Sequence, residues 1–294
     1  MSLDLRHVRR VVEAALDEDA PFGDVTGRAF LPADARATAS LVAREPGVLA
    51  GIDVFVVAMT TLDAGVAVEP RLVDGERFDP GAVLATVDGP ACAVLQAERV
   101  ALNLVQRMSA VATLTARYVA AVEGTGARVV DTRKTTPGLR LLERHAVRCG
   151  GGHNHRSSLS DAVMAKDNHL AVLQRSGLDL TEALREGAAR LSHTTHVEVE
   201  VDRLDQVEPV LASGVVDTIM LDNFSLDDLR AGVELVAGRA IVEASGGITL
   251  DTIGDVARTG VDVISVGALT HGYGSLDLGL DVEVGGPSRT GTES

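Results

Sequence analysis

Apolar residues recur at helical spacing in the opening stretch, where Leu5, Val8, Val11, Val12, Ala15 and Leu16 predict an amphipathic helix over 4–16. From about Ala37 to Val94 the pattern shortens to valine-rich runs. These are interrupted by Glu45-Pro46-Gly47, Asp74-Gly75-Glu76, Asp79-Pro80-Gly81 and Asp88-Gly89-Pro90, which predicts short strands joined by turns. A long helical pattern follows over 96–123.

Beyond Val129 the rhythm becomes strand, turn, helix. Strands are predicted at 128–131, 162–166, 196–201, 217–221, 240–243 and 262–266. Ser225, with Asp228 three residues on, caps a helix over 226–237 that ends before Gly238, and Thr249 and Gly260 bracket the next. Alternating units of this kind predict parallel β/α architecture. A barrel accounts for them better than an open sheet, because Asp131, Lys166, Glu200, Asp222, Ser245 and Gly267 then gather at the carboxyl ends of strands.

Composition narrows the functional classes. The 294 residues carry a net charge of −15, 2% aromatics and no tryptophan, which argues against nucleic acid. No apolar run reaches a membrane span, the opening Met1 to Arg6 lacks a signal peptide's apolar core, and the expected location is cytoplasmic. Two cysteines, Cys92 and Cys149, stand far apart and indicate neither a disulfide framework nor a zinc site.

Charge is distributed unevenly. Arg133 to Lys166 holds seven Lys/Arg against two Asp/Glu, so it is net +5, while the rest of the chain is net −20. The chain's two lysines, Lys134 and Lys166, both fall in that segment. A basic island in an acidic field suits a small anionic substrate.

The chemistry-bearing motifs lie there and after it. Thr132-Arg133-Lys134 sits where a strand gives way to a loop, a place for phosphate or carboxylate. Gly150-Gly151-Gly152 precedes His153, His155 and Arg156, with His153 read as an ordinary polar residue of the loop. In Val197 to Asp202 the alternation sends valines to one face and acids, among them Glu200, to the other, where they need cationic partners such as Lys166. Ser245-Gly246-Gly247 and Ser265-Val266-Gly267 are small-residue turns suited to a phosphate.

Asp131-Thr132-Arg133-Lys134-Thr135, Gly150 to Gly152 with Asn154-His155-Arg156, Lys166-Asp167-Asn168-His169, Leu221-Asp222-Asn223 and Ser245-Gly246-Gly247 resemble the quinolinate phosphoribosyltransferase family. Glu18-Asp19, Gly23 to Thr26, Glu98-Arg99 and Leu102-Asn103 extend the resemblance nearly end to end.

It implies an N-terminal α/β sandwich (1–110, with 273–286 packing back on it) and an incomplete parallel (β/α) barrel (111–272), while the Gly-, Pro- and Ser-containing composition of the last residues predicts a disordered tail (287–294). It also implies a homodimer, with Arg99 reaching the partner's site. The implied reaction joins quinolinate to phosphoribosyl pyrophosphate with Mg2+, giving nicotinate mononucleotide, pyrophosphate and CO2. Arg133, His155, Arg156 and Lys166 would hold the dicarboxylate, and Lys134 and Thr132 would serve phosphate and substrate binding. Glu200 and Asp222 would face the ribose and magnesium. Ser245, Gly246, Gly247, Ser265, Val266 and Gly267 would bind the 5′-phosphate.

Departures from the family pattern are Ser109-Ala110, His145 at a position where an aromatic is frequent, and Ser157-Ser158. They leave fine specificity open, including the separation from a paralogue associated with molybdate transport. The residues alone also admit a metal-dependent hydrolase using His153, His155, Lys166, His169 and Asp222, a Schiff-base aldolase using Lys166, or an anion-binding protein without turnover.

Overall fold

The structure, a computed structural model, describes residues 3–166, 168–169, 172, 177, 179–272 and 274–285. Asp167 and the tail at 287–294 lie outside them. Contacts divide the chain into two interleaved units, 1–114 with 136–151 and 273–294, and 115–135 with 152–272. Residues 136–151, counted with the barrel from sequence, group with the first unit.

In the first unit, α1 (Leu5–Asp19) starts where the Asp4 side chain accepts the Arg6 N–H, and it buries Val8, Val12 and Leu16. After α2 (Val25–Phe30), a four-stranded antiparallel sheet takes the order β12-β1-β5-β3. Its strands are β1 (Arg36–Ala43), β3 (Ala67–Pro70), β5 (Val83–Pro90) and β12 (Leu278–Gly285). Residue alternation puts Ala37, Ala39 and Leu41 of β1 inside. β2 (Gly47–Val48) and β4 (Arg77–Phe78) form a small antiparallel pair, and α3 (Ile52–Thr60) lies between β2 and β3 in sequence.

The long helix α4 (Ala91–Ala121) begins earlier than its pattern predicts. Ala91-Cys92-Ala93-Val94 extends the valine-rich run, but with little β-branching its helix propensity prevails once Pro90 ends β5. α5 (Arg140–Cys149) also belongs to this unit. Its Glu143, 1% exposed, accepts the Thr136 N–H at 3.1 Å and hydroxyl at 2.7 Å and pairs with Arg107 at 3.0 Å, so the buried charge is matched.

The second unit is a six-stranded parallel sheet in the order β6-β11-β10-β9-β8-β7. Its strands are β6 (Arg128–Val130), β7 (Val163–Ala165), β8 (Val197–Val201), β9 (Thr218–Asp222), β10 (Ile241–Ser245) and β11 (Val263–Ser265). All six predicted strands are present. First and last strands neighbour each other, as barrel winding requires, while β6 and β7 stay apart, so the barrel is incomplete.

Beside β6 the chain at His153 fills in, bridging Val130 in parallel, with the His153 N–H donated to Val129 O at 2.8 Å. Helices α6 (Leu180–Ala188), α7 (Val207–Ala212, entered through a 3-10 turn at Leu204–Gln206), α8 (Leu226–Val236), α9 (Ile253–Ala257) and α10 (Ala268–His271) connect the strands. Ser225 caps α8 as expected, accepting the Asp228 N–H at 3.2 Å. α9 starts at Ile253 because 249–252 is spent in a turn. No described helix is long and apolar enough to cross a membrane.

Candidate active site

Period-two alternation sets the chemistry of this sheet. Val199, Val201, Ile219, Leu221, Val242, Ala244 and Ile264 are all at most 3% exposed and form one face. The alternate residues line a cavity of ≈ 430 Å³: Met164, Lys166, Glu200, Met220, Asp222, Glu243, Ser245 and Ser265, joined by Thr132, Arg133, Lys134, His155 and Arg156. Ten of the residues singled out from sequence therefore converge. A larger hollow, ≈ 850 Å³, lies on the antiparallel sheet of the first unit, but Glu69, Asp88, Asp281 and Glu283 line it and would repel an anion.

The loop after β6 is set by a buried acid. Asp131, 0% exposed, accepts the Asn154 amide at 2.6 Å and the His155 N–H at 2.7 Å, fixing the His155-Arg156 segment beside β6. Thr132 Oγ1 accepts the Lys134 N–H at 3.1 Å, and the Thr270 hydroxyl donates to Lys134 O at 2.6 Å. The Lys134 ammonium has no carboxylate partner among the described residues. Arg133 Nε is buried without a hydrogen-bond partner, an orphaned donor whose cost an anion would remove. Burial, followed by the charge of Arg133, lowers the Arg156 pKa, and Arg156 donates to Ala162 O at 3.0 Å.

Lys166 is paired with Glu200, as the alternation of β8 anticipated. Its neighbour two residues back has a different partner. Glu198 and Glu243, both 3% exposed, converge on His155 Nε2 at 3.0 and 3.5 Å, and each keeps one carboxylate oxygen without a hydrogen bond.

Burial alone would lower the His155 pKa, but the two carboxylates outweigh it and push it up to about 10. The Arg156 N–H donates to Nδ1 at 2.7 Å and opposes that rise, since a second ring proton would break the bond. Nε2 carries a proton in either state. Desolvation raises the Glu198 pKa despite the His155 hydrogen bond. Both ring nitrogens of His155 are thus engaged within the protein. Neither glutamate was given a site role from sequence, although the alternation puts Glu198 with Glu200 among the inward acids and marks Glu243 two residues before Ser245.

At the far side, Asn223 donates to Asp222 Oδ2 at 2.6 Å and holds a left-handed φ of 59°. Gly246 and Gly247 have φ of 91° and 61°, a turn that glycine adopts without strain and that lets backbone approach a ligand closely. Val266 offers less. Its side chain is 1% exposed and its N–H is already donated to Val130 O at 3.0 Å. Gly267 lies against Lys134, whose Nζ stands 3.6 Å from where a Cβ would be.

Arg99 is on α4 in the first unit, 59% exposed, with Glu98 4.0 Å away, and is not among the cavity's lining residues. His153 is exposed and acts through its backbone, and the exposed His169 accepts the Lys166 N–H at 3.1 Å, so the His-x-His ligand pair of a hydrolase is not assembled.

Comparison with known proteins agrees with this geometry. The C-terminal domain model of quinolinate phosphoribosyl transferase matches residues 111–281 and the N-terminal domain model residues 24–109. The carboxylating nicotinate-nucleotide pyrophosphorylase of Mycobacterium leprae is 44% identical over 280 residues, covering 93% of this chain and 96% of its own. A probable enzyme of the same name from Bacillus subtilis is 39% identical over 92% of each chain. The crystal structure of NadC from Streptococcus pyogenes superposes with a TM-score of 0.92 at 40% identity, covering 97% of this chain and all of that one.

Proposed function

The chain belongs to the quinolinate phosphoribosyltransferase family, and we propose that it joins quinolinate to phosphoribosyl pyrophosphate, releasing pyrophosphate and CO2 and leaving nicotinate mononucleotide for NAD biosynthesis. The observation that carries this reading is the orphaned Arg133 Nε in a cavity with Lys134, Arg156 and Lys166, since a dicarboxylate supplies the acceptor that donor lacks and negative charge matching the other cations. Arg133, Arg156 and Lys166 bind the pyridine carboxylates. His155 positions Arg156 rather than touching the substrate, because its own nitrogens are taken.

Departure of pyrophosphate leaves positive charge on the ribose. Glu200 and Asp222, held by Lys166 and Asn223, face that charge and favour the transition state over the ground state. Lys134 serves the phosphates, with Thr132 holding its backbone. Gly246, Gly247, Gly267 and the Ser245 and Ser265 hydroxyls cradle the 5′-phosphate, while Val266 contributes packing. Decarboxylation then places electrons on a ring whose nitrogen has become cationic, so the protein positions and neutralises.

Glu200 and Asp222 are hard oxygen donors in one cavity, too few for a protein cage but fitting Mg2+ that keeps most of its ligands from substrate and water. Bound there, magnesium would offset charge on the pyrophosphate.

A shared site in a homodimer is also part of the proposal, supported by the largely exposed Arg99 guanidinium. So is action in the cytoplasm, supported by the low cysteine content. Purified protein with quinolinate, phosphoribosyl pyrophosphate and Mg2+ should yield nicotinate mononucleotide and CO2 in equal amounts. Turnover of nicotinate in place of quinolinate would refute the substrate assignment. Arg99→Ala and Lys166→Ala proteins, each inactive alone, should regain activity when mixed as heterodimers, and verified heterodimers without recovery would rule out the shared site.

A further inference from the structure

Away from the cavity, in the first unit, three side chains that the reaction does not use come together. His145 and Cys149 stand one turn apart on α5, so both project from the same helical face. Asp74, from the turn between β3 and β4, meets them there with its Oδ2 2.6 Å from His145 Nε2. One ligand atom from each residue lies within 4.8 Å of the others. We propose that Asp74, His145 and Cys149 form a site for a thiophilic divalent cation of the zinc type.

The donor set decides the class of ion. Imidazole nitrogen, thiolate sulfur and one carboxylate oxygen are the ligands zinc takes, whereas magnesium and calcium select oxygen. Three protein ligands leave a fourth tetrahedral position for water. With side-chain exposures of 17% and 18%, His145 and Asp74 are sheltered but reachable by an ion.

An outer contact is already built. Asp74 Oδ1 accepts the Ile52 N–H at 2.9 Å, which orients the carboxylate and leaves Oδ2 turned toward the cluster. Tetrahedral zinc needs donor atoms about 3.5 Å apart. On binding, the ion therefore replaces the His145–Asp74 hydrogen bond, that 2.6 Å pair opens, and the other spacings, all within 4.8 Å, adjust around it. Burial pushes the free Cys149 thiol up to about 12, so the ion displaces its proton to solvent on binding, and the resulting thiolate with the ionised aspartate neutralises the dication. The bound ion would tie residues 71 positions apart, pinning the 73–76 turn to the end of α5.

The test uses the full-length chain, stripped with a chelator, loaded with zinc sulfate and desalted, with zinc per chain measured by atomic emission. Wild type should retain about one zinc per chain. Cys149→Ser and His145→Phe should each lose it, by more than the ~10–100-fold that an outer-shell change causes.

Cobalt(II) loading of wild type should produce a thiolate-to-cobalt absorption band that Cys149→Ser lacks. Wild type that retains no zinc overturns the proposal, as do variants that retain as much as wild type, which would place the ion elsewhere. Bound cobalt without a thiolate band also overturns it, and this reading on wild type alone does not depend on the variants folding.

Discussion

Lys166→Arg should lower kcat/KM by about 100-fold or more while leaving the melting temperature nearly unchanged. Lys166 meets Glu200 at the carboxyl ends of β7 and β8, where by the proposed function the ammonium serves a carboxylate of the protein and one of the substrate in a single cavity. Arginine keeps the charge but replaces a compact donor with a longer planar fork, which re-aims Glu200 away from the ribose.

Stability should respond far less. Lys166 is 43% exposed, so its ion pair is screened and contributes at most about 1 kcal/mol to folding. Steady-state kinetics in both substrates, beside a thermal melt, separate the two effects. Lys134→Arg provides the comparison. With no carboxylate partner among the described residues and Gly267 close against it, Lys134 has the substrate phosphates as its proposed partners, and its loss should appear mainly in the KM for phosphoribosyl pyrophosphate. Full activity in both variants would reduce the scarcity of lysine to codon usage.

That scarcity was one of several features readable from residue order. Strand alternation placed Glu200 opposite a cation, cap residues located α8, and the basic island marked the cavity, because each depends on local spacing that folding preserves. What residue order did not reveal depends on contacts distant in sequence. Glu198 and Glu243 share His155 only because the strand order brings β8 and β10 around one cavity, although their period-two spacing to Glu200 and Ser245 was a usable signal.

The grouping of α5 with the first unit had no local signature, since its helix reads like any other in an alternating β/α series. Counting cysteines missed the Asp74, His145 and Cys149 cluster for the same reason. Its spacing is helical on one side and 71 residues long on the other.

The second large effect is expected at Gly246→Ala, through the backbone. Its φ of 91° is a conformation that L residues seldom adopt, and strain of that kind costs roughly 1–2 kcal/mol. An added Cβ would also run into Asn223 Oδ1 and stand 2.6 Å from its Cγ and 2.9 Å from its backbone N. Overpacking of that sort adds about 1–3 kcal/mol, so a total loss of roughly 2–5 kcal/mol follows, or a fall in Tm of order 10 °C.

Activity should fall further than stability, because displacing Asn223 disturbs Asp222, which it holds at 2.6 Å, and the phosphate turn together. Gly247→Ala isolates the strain. Its φ is 61° but nothing lies within 4 Å of the added methyl, so about 1 kcal/mol is expected there. Adding Asn223→Ala to Gly246→Ala should recover part of the stability and none of the activity, since the side-chain clash goes while the backbone contact and the lost Asp222 partner remain. Equal melting temperatures for the two glycine variants would mean that the close approach of Asn223 does not hold in solution.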